Sequence, residues 1–335
     1  MKTFAVMLFG KIGDVVNTSV VCRELKKNFP DSRIIYITLP FGAEAASAIP
    51  AVDKVYVFNQ TYDDKSIDKF FKQIQSAIEV RFNEKVDVAI ALTDTFRCAI
   101  HGRLIGAKKI LGRDTDKRGF LITDKLKLTS DDYRLHMSEF HANLLSLLDI
   151  KCKDYDLDFK YDEGAKLFAE EFINKNGLSC EKVVGVNLTT ACPTKDWTVD
   201  DAISFVNMVT EKTDYKIVFV GDKKASLLVD NMRQKECTNF IDMTGKTTIM
   251  QVAALIDNFD KFITPDTGLA HIAFALKTPT VVVAVNDSIN KINENLYVWG
   301  PKDLTLNKVV YNPNGVGAKA VFDEFLLLIP KKSLI

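Results

Sequence analysis

Residues 261–285, KFITPDTGLAHIAFALKTPTVVVAV, read as strand, tight turn, helix and strand. The turn carries Pro265, Asp266, Thr267 and Gly268, and His271 follows one helical turn later. Small polar residues opening a helix leave backbone N–H groups without helical partners, and the positive end of the helix dipole points the same way. Such a place holds an anion, which suits a nucleotide or another phosphorylated ligand. Plain capping is the competing role for Asp266, and that of a satisfied core imidazole for His271.

Three other segments carry residues of similar chemical use. Gly10-Lys11-Ile12-Gly13-Asp14 follows an apolar run at the N-terminus. Its glycines permit a tight backbone, and Asp14 opens the next helix either as a cap or as a carboxylate that takes a proton from an attacking hydroxyl. The spacing is not that of a dinucleotide fingerprint. In the segment Asn187–Trp197, the hydroxyls of Thr189 and Thr190 and the ammonium of Lys195 suit phosphate oxygens. Capping by Thr194 or Thr198, with Lys195 in solvent, accounts for the same residues. Between Arg97 and Arg118, seven Lys and Arg stand against two Asp, with His101 among them. That stretch is either a solvated face or a site for phosphate or carboxylate groups. His136 and His141 lack a metal-ligand spacing and read as structural.

These segments must be held by regular elements, and the pattern supplies them. Apolar runs at 4–9, 33–38, 54–58 and 86–92 alternate with helical patterns at 15–28, 41–48 and 66–81. The pattern weakens over 112–165 around a helix near 136–148, and an acidic linker is expected over 154–164. After a helix at 165–176, a second set has strands at 182–188, 215–220, 240–242, 261–264 and 278–285. Its helices fall at 199–210, 223–235, 248–258 and 267–276. Strand–helix alternation of this kind makes a parallel sheet covered on both faces. Two α/β doubly wound domains are therefore expected, 1–163 and 164–335, with a cleft between them. A last helix at 317–328 is expected to pack back on the first domain. All the candidate segments but the basic one follow strands directly, where ligands of such sheets sit.

Composition narrows the function further. The 335 residues balance 44 basic against 44 acidic side chains, so no global field favours nucleic acid. Six scattered cysteines, with no C-x-x-C pair, fit free thiols in a reducing compartment and argue against zinc. No run approaches the roughly 20 apolar residues of a membrane helix. The start of the chain reads as a first strand, since Lys11 and Asp14 break its short apolar run. A cytoplasmic protein is expected, with peripheral contact at the inner face of a membrane left open. G-x-S-x-G and G-x-x-x-x-G-K-[ST] are both absent, against an α/β hydrolase and a P-loop NTPase.

Taken in order, the segments resemble glycosyltransferase family 9, the ADP-heptose:lipopolysaccharide heptosyltransferases, over nearly the whole chain. The likeness rests on Gly13-Asp14, Lys26-Lys27-Asn28-Phe29-Pro30-Asp31, Leu104-Ile105-Gly106-Ala107 and Lys195-x-Trp197. It also rests on Thr244-Gly245-Lys246-Thr247-Thr248 and on Asp266-Thr267-Gly268-Leu269-Ala270-His271. The resemblance implies two Rossmann-like domains facing a cleft (the GT-B architecture) and a metal-independent, inverting transfer that needs no cofactor. It implies an ADP-sugar donor in the C-terminal domain and an acidic, lipid-linked glycan acceptor in the N-terminal one. Asp14 matches the base. Thr189, Thr190 and Lys195 match the diphosphate loop, and Asp266, Thr267, Gly268 and His271 the sugar and phosphate contacts. Thr247 lies where the adenine is met, and Asp222 stands in for the usual ribose-binding Glu. Lys11, Arg97, His101, Arg103, Arg113 and Arg118 are the expected acceptor contacts. The chain departs from its relatives at Leu8, where an Arg is usual, and at Val285-Asn286-Asp287-Ser288, where a Gly-Pro-Thr-x-Pro loop is usual. Two other readings remain, a transfer from a UDP- or GDP-sugar and nucleotide-sugar binding without turnover.

Overall fold

The structure, a computed structural model, describes residues 1–58, 67–115, 119–285, 297–312, 315 and 317–333. The chain divides into two compact units, Met1–Lys160 and Tyr161–Ile335.

The first unit is a parallel sheet of β1 (Thr3–Met7), β2 (Arg33–Thr38), β3 (Lys54–Val57), β4 (Val88–Ala91), β5 (Lys109–Arg113) and β6 (Asp124–Leu126). Its spatial order is β3-β2-β1-β4-β5-β6. The central strands β1, β2 and β4 are buried on both faces, which accounts for their continuous apolar runs, whereas the edge strands β3 and β6 are partly exposed. The connecting helices are α1 (Ile12–Asn17), α2 (Ser19–Asn28), α3 (Ala43–Ser47), α4 (Ile67–Asn83) and α5 (Phe96–Leu104), and α6 (Met137–Ala142) follows the sheet. The single helix expected at 15–28 is broken at Thr18. Its hydroxyl bonds back to Val15 O at 2.7 Å and meets Tyr36 Oη at 2.7 Å, a side-chain bond that competes with the helical ladder.

The expected linker is an irregular segment fastened chiefly by one side chain, with Asp158 N also donating to Ser19 Oγ at 2.9 Å. Arg23 donates to Asp156 O at 2.6 Å, to Asp158 Oδ2 at 2.7 Å and to Asp154 O at 3.0 Å. The acidic residues that made the segment read as a linker thus fasten it to α2.

The second unit begins with α7 (Glu163–Lys175). Its sheet contains β7 (Val183–Asn187), β8 (Lys216–Val220), β9 (Ile241–Asp242), β10 (Lys261–Pro265), β11 (Thr280–Val285) and β12 (Lys308–Asn312). The order β12-β11-β10-β7-β8-β9 is the plan of the first unit again, although the two halves share no visible sequence repeat. Alternate strand residues feed opposite cores. Val184, Val186, Ile217 and Phe219 face α8 (Val199–Lys212), α9 (Lys223–Gln234) and α12 (Ala318–Leu327). Val183, Val218, Val220 and Phe262 face α7, α10 (Ile249–Asn258) and α11 (Gly268–Ala275). Gly185 is required in β7, since a Cβ there would lie 2.2 Å from the Phe259 ring.

The terminal helix forms as expected and meets α8. Val321, Phe322 and Phe325 pack with α8 into the core of the second unit. Their aromatic edges meet Phe205 at 6.4 and 6.1 Å, giving an apolar contact that the sequence pattern could not assign to one sheet.

Candidate active site

In both sheets the strand order reverses between the first strand and the fourth, and ligands of doubly wound sheets bind at that seam. In the second unit the seam lies between β7 and β10. Asn187, the last residue of β7, donates from Nδ2 to Thr264 Oγ1 and to Thr189 O, both at 3.1 Å, and reaches Thr267 Oγ1 at 3.5 Å. Thr264 and Thr267 hydroxyls meet at 3.1 Å. One buried amide therefore ties together the loop after β7, the end of β10 and the turn into α11. Gly221 (φ 134°) closes against it, for a Cβ at 221 would sit 2.9 Å from Asn187 Oδ1.

The loop from Thr189 to Asp196 is stapled on its other side. Thr190 N donates to Asp196 Oδ1 at 2.7 Å. Lys224 pairs with Asp196 Oδ2 at 2.5 Å and donates to Thr190 O at 3.0 Å. Thr189 Oγ1 donates to Asp222 Oδ1 at 3.4 Å, while Asp222 caps α9 through Lys224 N and Ala225 N at 3.0 and 3.3 Å. Held this way, Lys195 projects next to the opposite strand end, where its ammonium lies 3.7 Å from Asp266 Oδ2. Directly behind it, Trp197 is buried edge-to-face on Phe205 at 5.6 Å.

Thr267 occupies the N-cap position of α11, yet its side chain makes no capping bond, being turned to Thr264 and Asn187. The first backbone N–H groups of α11 are thus left by the side chain that would ordinarily take one. His271, in the first turns of the same helix, is buried and lies edge-on to Phe274 and Trp299 at 5.8 and 6.4 Å. Burial pulls its pKa down to about 4, so the imidazole is neutral at pH 7 and acts as a hydrogen-bonding group rather than a cation. Thr247 is half-buried before Thr248, the N-cap of α10. Its loop joins the seam through Gly245 N, which donates to Gly221 O at 2.8 Å. The structure thus brings Thr189, Thr190, Lys195, Asp222, Asp266, Thr267 and Gly268 to one strand-end cluster, with His271 and Thr247 on adjoining segments.

In the first unit the seam lies between β1 and β4, where Phe9 N donates to Thr93 Oγ1 at 2.8 Å. Asp14 stands on the β1 side, half-buried in the first turn of α1. Its Oδ2 accepts Lys11 N at 2.6 Å, which fixes the carboxylate. A Cβ at Gly10 would lie 2.7 Å from both Asp14 Cβ and Oδ2, so this carboxylate position needs glycine there.

The expected acceptor contacts separate. Lys11, Arg97 and Arg103 are exposed, and Arg103 Nε donates to Leu121 O at 2.8 Å. Arg118 and the loop Asn286–Ser288 lie outside the described residues. Arg113 and His101 depart from expectation because both are internal. The Arg113 side chain is 0 % exposed. Its guanidinium donates to Leu92 O at 3.1 Å and Phe140 O at 2.6 Å, pairs with Asp94 at 3.4 Å and stacks on the Phe140 ring at 3.8 Å. His101 lies between Phe9 and Phe58 and meets Gln73 Oε1 at 3.2 Å. Its burial, with Arg97 nearby, lowers its pKa to about 4. Both side chains brace the walls beside the seam and do not reach solvent. Sequence reading missed Asn187, Asp196 and Lys224. The available signal was polar residues placed directly after a strand and at the following helix start.

Comparison with known proteins places this geometry. The family model described as "Glycosyltransferase family 9 (heptosyltransferase)" matches residues 78–289. The lipopolysaccharide heptosyltransferase 3 of Escherichia coli K12 is 26% identical over 273 residues, covering 80% of this chain and 78% of that one. The lipopolysaccharide core heptosyltransferase OpsX of Haemophilus influenzae is 19% identical over 286 residues, covering 84% and 78%. A family 9 glycosyltransferase from Veillonella parvula superposes with a TM-score of 0.79 at 21% identity, over 99% of this chain and 91% of that chain. The Escherichia coli ADP-heptose lps heptosyltransferase II gives 0.78 at 18% identity, over 97% and 98%. The expected GT-B type of fold stands in these likenesses. With a family model spanning well over half of the residues, the chain belongs to glycosyltransferase family 9, the heptosyltransferases, and is a glycosyltransferase.

Proposed function

We propose that this protein moves a heptose, or a closely related sugar, from an ADP-sugar to a lipopolysaccharide core acceptor. The observation that carries the reading is the meeting of Lys195 with the uncapped start of α11 at the β7–β10 seam. A departing diphosphate gains negative charge, and a fixed ammonium and oriented N–H groups stabilise that charge in the transition state more than in the ground state. Thr189, Thr190 and Gly268 give the diphosphate further donors, and Asp266 and neutral His271 contact the sugar. Thr247 and Asp222 serve the nucleoside. Lys11, Arg97 and Arg103 receive the acidic acceptor, whereas Arg113 and His101 hold the surrounding wall.

In the transfer, an acceptor hydroxyl forms the new bond to the anomeric carbon while the bond to the diphosphate oxygen breaks. The hydroxyl proton passes to Asp14 and the bonding electrons leave with ADP. Attack opposite the leaving group inverts the anomeric centre. The relatives named for heptose transfer and lipopolysaccharide support this choice of substrates. Turnover of ADP-heptose, UDP-sugars and GDP-sugars on a deacylated core oligosaccharide tests it. Release of ADP with product is expected. Transfer from a UDP- or GDP-sugar alone would move the protein to another donor class, and a thermal shift by ADP without turnover would make it a binding protein.

A further inference from the structure

We propose that the outer face of α4 docks on an anionic lipid bilayer. This deepens the reading above, which gives the enzyme a lipid-linked acceptor, and it answers how a chain without a described membrane-spanning helix reaches one.

Helix α4 has two apolar faces. Ala77 and Val80 point inward and share a core with Cys98, Ala99 and Ile105 of α5 and its end, and buried Gln73 meets His101. Phe71, Ile78 and Phe82 point the other way, at 62%, 41% and 86% exposure. Their spacing of seven and then four residues puts them on a single line along the helix. An outward line of large apolar side chains has no use in a water-facing helix and costs solubility.

Charge decides the occupant. Exposed Lys72 and Arg81 flank the line on its two sides, and exposed Lys85 follows the helix end. None of the three has an ion-pair partner among the described residues. Glu79 is the one exposed acid among the described side chains of α4, and nearby Glu84 and Asp87 are taken by Arg33 and Lys108. Aromatic anchors edged by cations are the chemistry of a helix lying in the interface of an anionic membrane. A second copy of the chain would instead set one net-positive face against another, which like-charge repulsion opposes.

Full-length protein is sedimented with vesicles of phosphatidylcholine alone and of phosphatidylcholine with phosphatidylglycerol. Binding is expected on the anionic vesicles only, weakening with salt. In Phe71→Ser/Ile78→Ser/Phe82→Ser the bound fraction should fall at least about tenfold, and in Arg81→Glu/Lys85→Glu in the same direction. Melting temperature and turnover on the deacylated acceptor should stay as in the unaltered protein. Unaltered binding by the triple variant, or no binding by the parent, would overturn the proposal. So would displacement by inorganic phosphate, which marks a simple anion site, or a parent dimer that the triple variant dissolves in ultracentrifugation. Because vesicle binding is read without turnover, loss of the substrate assignment leaves this test intact.

Discussion

Asn187 Nδ2 donates to Thr264 Oγ1 at 3.1 Å, and this bond crosses the seam where the strand order of the second sheet reverses. The seam is where a doubly wound sheet parts its loops to admit a ligand, so a bond across it sets the separation of the two lips. Asn187→Ala strands the partners of a buried amide and should cost about 1–3 kcal/mol of stability in urea unfolding. It should also weaken ADP binding by about tenfold, or ~1.4 kcal/mol. Unchanged ADP affinity would detach this bond from the donor site.

Lys224 and Asp196 hold the Thr190–Asp196 loop without belonging to the proposed ligand contacts. Lys224→Ala should raise the donor KM by about tenfold with a smaller change in kcat, since one charge-assisted staple is removed. Lys224→Arg should restore part of the loss. Equal falls in kcat and kcat/KM, with KM unmoved, would assign Lys224 to the chemical step instead.

Gly10 and Gly185 make a paired test of close approach. Gly10→Ala drives a methyl into the Asp14 carboxylate and should cut kcat by about a hundredfold or more, with a small change in melting temperature. Gly185→Ala meets a buried ring and should cost about 1–3 kcal/mol of stability, with the activity of the folded fraction kept. Full activity in Gly10→Ala would remove Asp14 from the reaction.

The buried histidines set the acid limit of stability. His101 and His271 have pKa values lowered to about 4 by burial, and burial drives that of His141 well down too. Unfolding returns each to about 6.5, so the unfolded chain binds more protons between these values. Stability should be level with respect to these groups above about pH 6.5 and fall progressively from there toward pH 4. Urea midpoints across that window check the sign, and His101→Gln should flatten the slope. A stability that rises on acidification through the window would contradict their burial as neutral rings.

The strand ends were legible in the sequence because small polar residues after an apolar run are a local signal. The segments holding Asp14, Lys195 and Thr267 could be placed for that reason. The stretch of α5, β5 and β6 was not, since Cys98, Ala99 and Gly102 give little helical contrast and β6 has three residues. Arg113 shows the other limit. In a sequence, a cation satisfied by two backbone oxygens, a carboxylate and a ring looks like any surface charge. Its burial depends on partners distant along the chain. The same holds for α12, whose apolar face could be recognised but not the sheet it would cover.

The chain's two tryptophans both attend the proposed donor site. Trp197 follows Lys195 and Asp196, buried with its indole N–H unbonded among the described residues, and Trp299 lies edge-on to His271. The protein thus carries its own optical gauge. Excitation of the indoles reports on the two lips of one seam, with no other tryptophan to dilute the signal. Occupancy of the donor loop can then be followed in real time, in the native enzyme and without a label.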